Sequence, residues 1–322
     1  MTTDHEKVAR LEALAAISGV MIALQSRANG ELSHMLGNSI EAALVSFSSG
    51  LTILLIIFIC STKVQRGIQN LWEVFKTGDI KIWEIFGGVL GGLNISFQTW
   101  AVPLNGVAIF SVASIAGQTV MSLFVDRIGL SKHGQKKIST RRISAAVITV
   151  LAVFVSVLNK FEAHTFSLLA VILSILGGAF VGVQRALNAR VNYYLKASFG
   201  TSLLNMFTGT LVLAIILLLK LIFLGDHING LPTSNYLIYT GGAIGVLYIA
   251  FTTTIVQRLG VLTSTLFSVG GTLIGSLLID FLIPSKGIGI SWYLVVGILL
   301  SYFGVIVGGE SKLFNLRNWR NS

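Results

Sequence analysis

Apolar residues come in ten blocks of roughly 20, the length a helix needs to cross a bilayer, near 9–29, 39–61, 82–102, 105–127, 142–158, 165–188, 199–223, 236–257, 261–283 and 291–309. Polar gaps separate them, short except at 62–81 and 128–141, and the tail 310–322 is polar. No gap is long enough for a soluble domain. The pattern predicts an all-α polytopic membrane protein of about ten transmembrane helices.

The pattern also repeats. Gly19 through Asn29 returns as Gly178 through Asn188, 159 positions later, and in both copies Gln and Asn stand four apart (Gln25 and Asn29; Gln184 and Asn188). That spacing places both amides on one helix face, one turn apart. Leu36, Ser39, Leu44 and Gly50 match Leu195, Ser198, Leu203 and Gly209 at the same offset. Beyond the 62–81 gap the offset becomes 154. There Gly87-Gly88-x-x-Gly91 matches Gly241-Gly242-x-x-Gly245, and 105–126 against 259–280 shares seven identities in 22 positions. Aligned Gly, Ser and Asp are not what two unrelated apolar helices share. The reading is two homologous five-helix repeats, 1–158 and 159–322.

Five is odd, so the second repeat crosses in the opposite sense. With the N-terminus in the cytoplasm, 19 of the 23 Lys and Arg fall on cytoplasmic segments and 4 outside, the bias expected of a membrane protein. The expectation is a multi-pass protein of the plasma (bacterial cytoplasmic) membrane with both termini cytoplasmic. Inverted repeats are the architecture of alternating-access carriers. Composition agrees: 53% of residues are hydrophobic and only 11% charged, against about a quarter in soluble domains. The net charge of +10 is accounted for by topology and not by nucleic acid. One cysteine, Cys60, allows no internal disulfide. No His-x3-His, Glu-x-x-His or cysteine cluster is present, so neither metal nor cofactor is expected.

Candidate chemistry lies on polar faces inside the apolar blocks. Gln25, Asn29, Gln184 and Asn188 stand near predicted span ends, where they contact substrate or water, or else terminate and glue helices. Asn94 and Gln98, again four apart, sit mid-span in the third block, with Tyr248 and Thr252 as repeat mates; mid-span polar groups face a bundle interior or a cavity. Gln118, Ser122 and Asp126 share one face of the fourth block, and Thr272, Ser276 and Asp280 repeat it in the ninth. An acid in a helix's last turn opposes the macrodipole, so Asp126 and Asp280 need partners, Arg127 or the 132–142 linker for the first and Lys286 for the second. The alternatives for them are a gate, proton coupling, or boundary capping. Glu41 opens the second span and is a further gating or coupling candidate. The glycine repeats suit close helix approach and are not phosphate loops, since no Gly-Lys-Ser/Thr follows. Trp72, Trp83, Trp100 and Trp292 fit an aromatic belt.

The Gln-x3-Asn ending of the first span, the Gly-Gly-x-x-Gly opening of the third and the Gly117-Gln118-x3-Ser122-Leu123-x-x-Asp126 ending of the fourth resemble the YdcZ-like family of the drug/metabolite transporter superfamily, in a fused two-half form. The resemblance covers nearly all of 9–309. It implies a ten-helix inverted-repeat bundle and secondary-active transport of a small metabolite or drug-like molecule, export being the commoner direction in that superfamily. It supplies no substrate. Thr272 stands where the family pattern has the Gln of position 118, which argues against a strictly symmetric site. Expected partners are the lipid bilayer and a small-molecule substrate, with a coupling proton or cation and a homodimer left open. A non-transporting membrane scaffold or sensor is the alternative, and an intramembrane enzyme lacks a base at depth.

Overall fold

The structure, a computed structural model, describes residues 2–130, 139–159, 166–248, 255, 261–283 and 290–308, without the side chains of 2–8, 126 and 261–266. Among the described residues it is all-helical. Its helices are α1 (Thr2–Leu36), α2 (Ser39–Cys60), α3 (Thr62–Thr77), α4 (Gly87–Asn105), α5 (Val107–Ile128), α6 (Thr140–Val157), α7 (Leu168–Leu195) and α8 (Ser198–Phe223). Then follow α9 (241–248), α10 (Val261–Leu282) and α11 (Trp292–Gly308). Six of them are long and apolar enough to cross a membrane. Their outward faces carry large apolar side chains left open, Ile56, Phe154, Leu218 and Ile222 among them. Such a continuous exposed apolar girdle is a lipid-facing surface.

Three differences from the sequence pattern matter for the site. The first and sixth blocks run seven residues further than hydropathy suggests, to Leu36 and Leu195. In α1 the extension is carried by an Arg27–Glu31 pair one turn apart, 3.2 Å between charged atoms, which keeps a polar last third helical. Gln25, Asn29, Gln184 and Asn188 therefore lie inside long helices and terminate nothing. Second, the 62–81 gap is not a plain linker. It holds α3, whose Val64, Gly67 and Leu71 turn inward while its other face is polar apart from an exposed Trp72, a surface helix too short to span. Third, α4 and α5 meet at a break of one residue, Gly106 at φ +87°, a conformation open to glycine at little cost.

Packing follows the repeat. α1 packs on α10 and α7 on α5; α6 packs on α11, and α2 on α8; α4 lies across α7 and α8. Each pairing joins a helix from 1–158 to one from 159–322. The first two crossings are the same contact made twice. A Cβ added to Gly19 would stand 1.9 Å from the Ser268 carbonyl oxygen, and one on Gly178 2.0 Å from that of Ser114. From the opposite helices, a Cβ on Gly271 would reach 1.9 Å from the Ala16 carbonyl and one on Gly117 1.9 Å from that of Ile175. Backbone meets backbone, the close approach small residues permit between membrane helices. Trp72, Trp83 and Trp292 are exposed at the bundle periphery; Trp100 instead packs against the Ala23–Val107 cluster.

Candidate functional site

Where α1, α4, α7 and α8 meet, an apolar bundle holds two clusters of amides, one toward each end of α4. On one side Asn29 Nδ2 donates to Gln98 Oε1 at 3.0 Å, Gln98 Nε2 donates to Ser26 Oγ at 2.8 Å, and Ser26 Oγ donates to the Ile22 carbonyl at 2.9 Å. All three side chains are buried. On the other side Gln184 Nε2 donates to Asn205 Oδ1 at 2.8 Å, and Asn205 Nδ2 donates to Asn188 Oδ1. Asn205 occupies the repeat position of Ser46. A serine is too short to bridge two amides, so Asn29 turns to Gln98 while Asn188 turns to Asn205, and the repeat breaks at this point.

Glycines let these amides lie flat on neighbouring helices. Gln184 and Asn188 rest against Gly91 and Gly87 of α4; Gln25 and Asn29 rest against Gly245 and Gly241 of α9. The i, i+4 amide pair and the Gly-x3-Gly pair are thus the two halves of one contact, made twice in the molecule. Two acceptors beside α4 have no hydrogen-bond partner among the described residues: Asn29 Oδ1 and Asn94 Oδ1, both buried. Asn94 lies against Gly177, beside the stacked rings of Phe97 and Phe180, whose centroids are 5.9 Å apart. A buried carbonyl oxygen left unpaired costs about 1–3 kcal/mol.

The remaining predicted residues lie elsewhere. Gln118 bonds within its own helix, Nε2 donating to Ser114 Oγ at 3.3 Å; Ser122 and Ser276 close back on their own helices too. Thr272, the repeat mate of Gln118, donates to the Gly19 carbonyl at 3.1 Å and so pins α10 to α1. Tyr248 is half-buried at the end of α9. Thr252, Lys286 and the side chain of Asp126 lie outside the described residues. Asp280 is buried and accepts from two backbone amides, Val107 at 3.1 Å and Ala108 at 2.8 Å. Its carboxylate caps the first turn of α5, where helix amides and dipole favour a negative charge.

Polar clasps close both ends of the bundle. At the end carrying α3, Glu84 is buried and pairs with Arg190 of α7 at 2.8 Å, whose Nη2 also donates to the Asp79 carbonyl at 3.3 Å. At the opposite end Lys220 pairs with Asp226 at 2.6 Å, and Asn38 Nδ2 donates to the same carboxylate at 3.0 Å. Beside them Glu41 accepts from the Asn229 amide at 3.2 Å, and Asn229 Nδ2 donates to the Leu36 carbonyl at 2.8 Å. The Lys220 hydrogen bond, then the His227 amide, hold the Asp226 carboxyl below the usual carboxylate range, against a smaller upward push from desolvation. A carboxyl shifted down on folding adds stability above its unfolded pKa and loses it as pH falls through its folded one. The melting-temperature gap between wild type and Asp226→Asn should therefore be flat near neutrality and shrink on acidification below the carboxylate range. A gap independent of pH would remove Asp226 from the clasp.

Sequence reasoning passed over Asn205, Ser26, Glu84, Arg190, Asp226 and Asn229. Asn205 carried a usable signal, being an amide deep in an apolar block. Arg190, Asp226 and Asn229 sit in gaps, where charge is ordinary, and Glu84 sits at the very start of the third block.

A family model described as "Putative inner membrane exporter, YdcZ" matches residues 11–155 and again 169–307. The chain belongs to the YdcZ family. The two matches fall on the two repeats, so each carries the YdcZ pattern by itself, and this is a family of membrane exporters and not of enzymes. No curated protein sequence matches the chain. A solved structure titled only "Crystal structure of protein" superposes over 97% of the YdcZ-family chain and 99% of its own, with TM-score 0.55 and 15% identity. At that identity the likeness is one of fold.

Proposed function

We propose that this YdcZ-family protein is a secondary-active carrier that exports a small polar or amphipathic molecule by alternating access between 1–158 and 159–322. The observation that carries the reading is the pair of buried acceptors beside α4, Asn29 Oδ1 and Asn94 Oδ1, that no described residue satisfies. A substrate presenting N–H or O–H donors beside an apolar body suits that pair, with Phe97 and Phe180 against the apolar part. Gln25, Gln184 and Asn188 extend the same polar path along α1 and α7. The end clasps fit the rest of the cycle. In a carrier one end opens while the other holds, and Glu84–Arg190 at one end and Lys220–Asp226–Asn38 at the other are separate locks of that kind. The distribution of Lys and Arg supports an orientation with the α3 end and both termini in the cytoplasm. We assign Asp280 to capping, since two amides already occupy its carboxylate.

The mutual pairing of Asn29, Gln98 and Ser26 favours a second reading, a rigid non-transporting scaffold. Cysteine labelling separates the two in a Cys60→Ala background. In the carrier, Asn94→Cys reacts with a water-soluble maleimide from both sides of sealed vesicles, at a rate that a transported compound alters. Gln98→Cys, locked in this structure, reacts only when the bundle opens. A monodisperse protein unreactive at both positions from both sides would put the scaffold first.

A further inference from the structure

α3 and the α7–α8 turn border an open cleft of about 260 Å³. Gly67 makes the contact that forms it: a Cβ there would lie 2.8 Å from the Ala197 Cβ and 3.0 Å from the Leu195 carbonyl, so α3 lies directly on the turn. Leu195 and Gly67 line the floor, and Lys63, Arg66 and Lys196 stand around it with Thr62 and Asn70. Lys63, Arg66 and Asn70 are spaced i, i+3, i+7, which puts them on one stripe of α3. Glu73, the helix's one acid, is not among the lining residues. No carboxylate among the described residues pairs with any of the three cations. Ser61 precedes α3 without a side-chain cap, so the first-turn amides add to the positive field.

We propose that this cleft binds the phosphate of an anionic membrane lipid. Lys63, Arg66 and Lys196 are exposed and bring three like charges to one cleft, a field that favours an anion among them, and two lysines and an arginine match phosphate oxygens in charge and donor geometry. Free phosphate shares that chemistry, but the surroundings select the lipid. The lining starts at Thr62, two residues after the end of α2, where Ile59 is 71% exposed and Cys60 is exposed, so acyl chains can lie along α2 while the headgroup is held. Further along α3, Trp72 is exposed with the Lys76 ammonium 5.6 Å from its ring centroid, the arrangement of a helix lying at a membrane interface. Lys196 adds a second mark. It is the one described non-glycine residue with positive φ, at +52°, so the chain accepts a strained position and sets a cation there.

The full-length protein in uncharged detergent tests this, with phosphatidylglycerol, phosphatidylcholine or inorganic phosphate added and the melting temperature followed by tryptophan fluorescence. Phosphatidylglycerol should raise it by several degrees, and the other two should not. The combined variant Lys63→Gln, Arg66→Gln, Lys196→Gly should lose that shift, and Arg141→Gln, a charge removed from outside the cleft, should keep it. Where the combined variant does not fold, Lys196→Gly alone decides, because glycine fits its backbone better than lysine does; it should lose a large part of the shift. An undiminished shift in the cleft variants, or a shift that inorganic phosphate reproduces in full, would overturn the proposal.

Discussion

Replacing Asp280 with alanine should destabilise the bundle by roughly 3 kcal/mol, the sum expected for two charge-assisted bonds and a favourable helix-end charge lost at a buried site. Asp280→Asn should cost about half of that, since one amide oxygen still accepts from Val107 or Ala108 while the charge is gone. The reason lies in the chain's connectivity. α4 and α5 are joined by Gly106 alone, so α5 begins with free backbone amides in the protein interior and no residue before it in position to cap them. A carboxylate 172 and 173 residues away in sequence does so instead. Denaturation in micelles, compared with transport in vesicles, tells capping from coupling. Were Asp280→Asn as stable as wild type yet unable to support transport driven by a proton gradient, the acid would be a coupling site and the capping assignment would fail.

The glycine crossings should give the other large effect. Gly178→Val should abolish a monodisperse folded protein on size-exclusion chromatography, and Gly19→Val should do the same. On helix propensity alone, replacing a mid-helix glycine with alanine is favourable by about 1 kcal/mol. Here sterics reverse the sign. The nearest atom to the added carbon is a backbone carbonyl oxygen at 2.0 Å for Gly178 and 1.9 Å for Gly19, and it cannot rotate away. The helices must separate, and the packing along the whole crossing goes with them, more than the 1–3 kcal/mol or so usual for overpacking. Two glycines calibrate the series. Gly92, where the nearest atom would stand 3.1 Å away, should take alanine at modest cost, and Gly230, with nothing within 4 Å, should take it freely. Equal tolerance at all four would mean the crossings are looser than described.

The membrane class, the repeat and the family were legible in the sequence because hydropathy and spacing survive without tertiary context. The extent of α1 was not, because an Arg27–Glu31 pair supports the helix where average hydropathy ends it. α3 was hidden between two spans although Val64, Ile68, Leu71 and Phe75 follow helical spacing, since a 16-residue amphipathic helix makes a weak signal beside 20 apolar residues. In the site, the amides were visible as polar positions on one face, but their partners were not. The i, i+4 amides and the Gly-x3-Gly runs are separate motifs in the sequence, and only the fold lays one on the other. The substitution of Asn205 for Ser46 then decides which amide turns where. Asp280 was recognisable as an acid needing a partner; that the partner is the start of α5 follows from a packing of distant helices that no local pattern encodes.

The interleaved packing also governs how the protein is made. α1 finds its main partner, α10, only after all the helices between them have been synthesised: the Thr272 hydroxyl that bonds the Gly19 carbonyl lies 253 residues later. Until then the Gly19 groove faces lipid or the insertion machinery, and although Asn29 can find Gln98 of α4 early, Gln25 and Asn29 still lack the α9 glycines they rest on. Inserting helices one by one is thus separate from assembling them, and closure of the bundle waits on its most distant contacts. The same amides and glycines that build the interior are, during synthesis, the parts of the chain most open to the wrong neighbour.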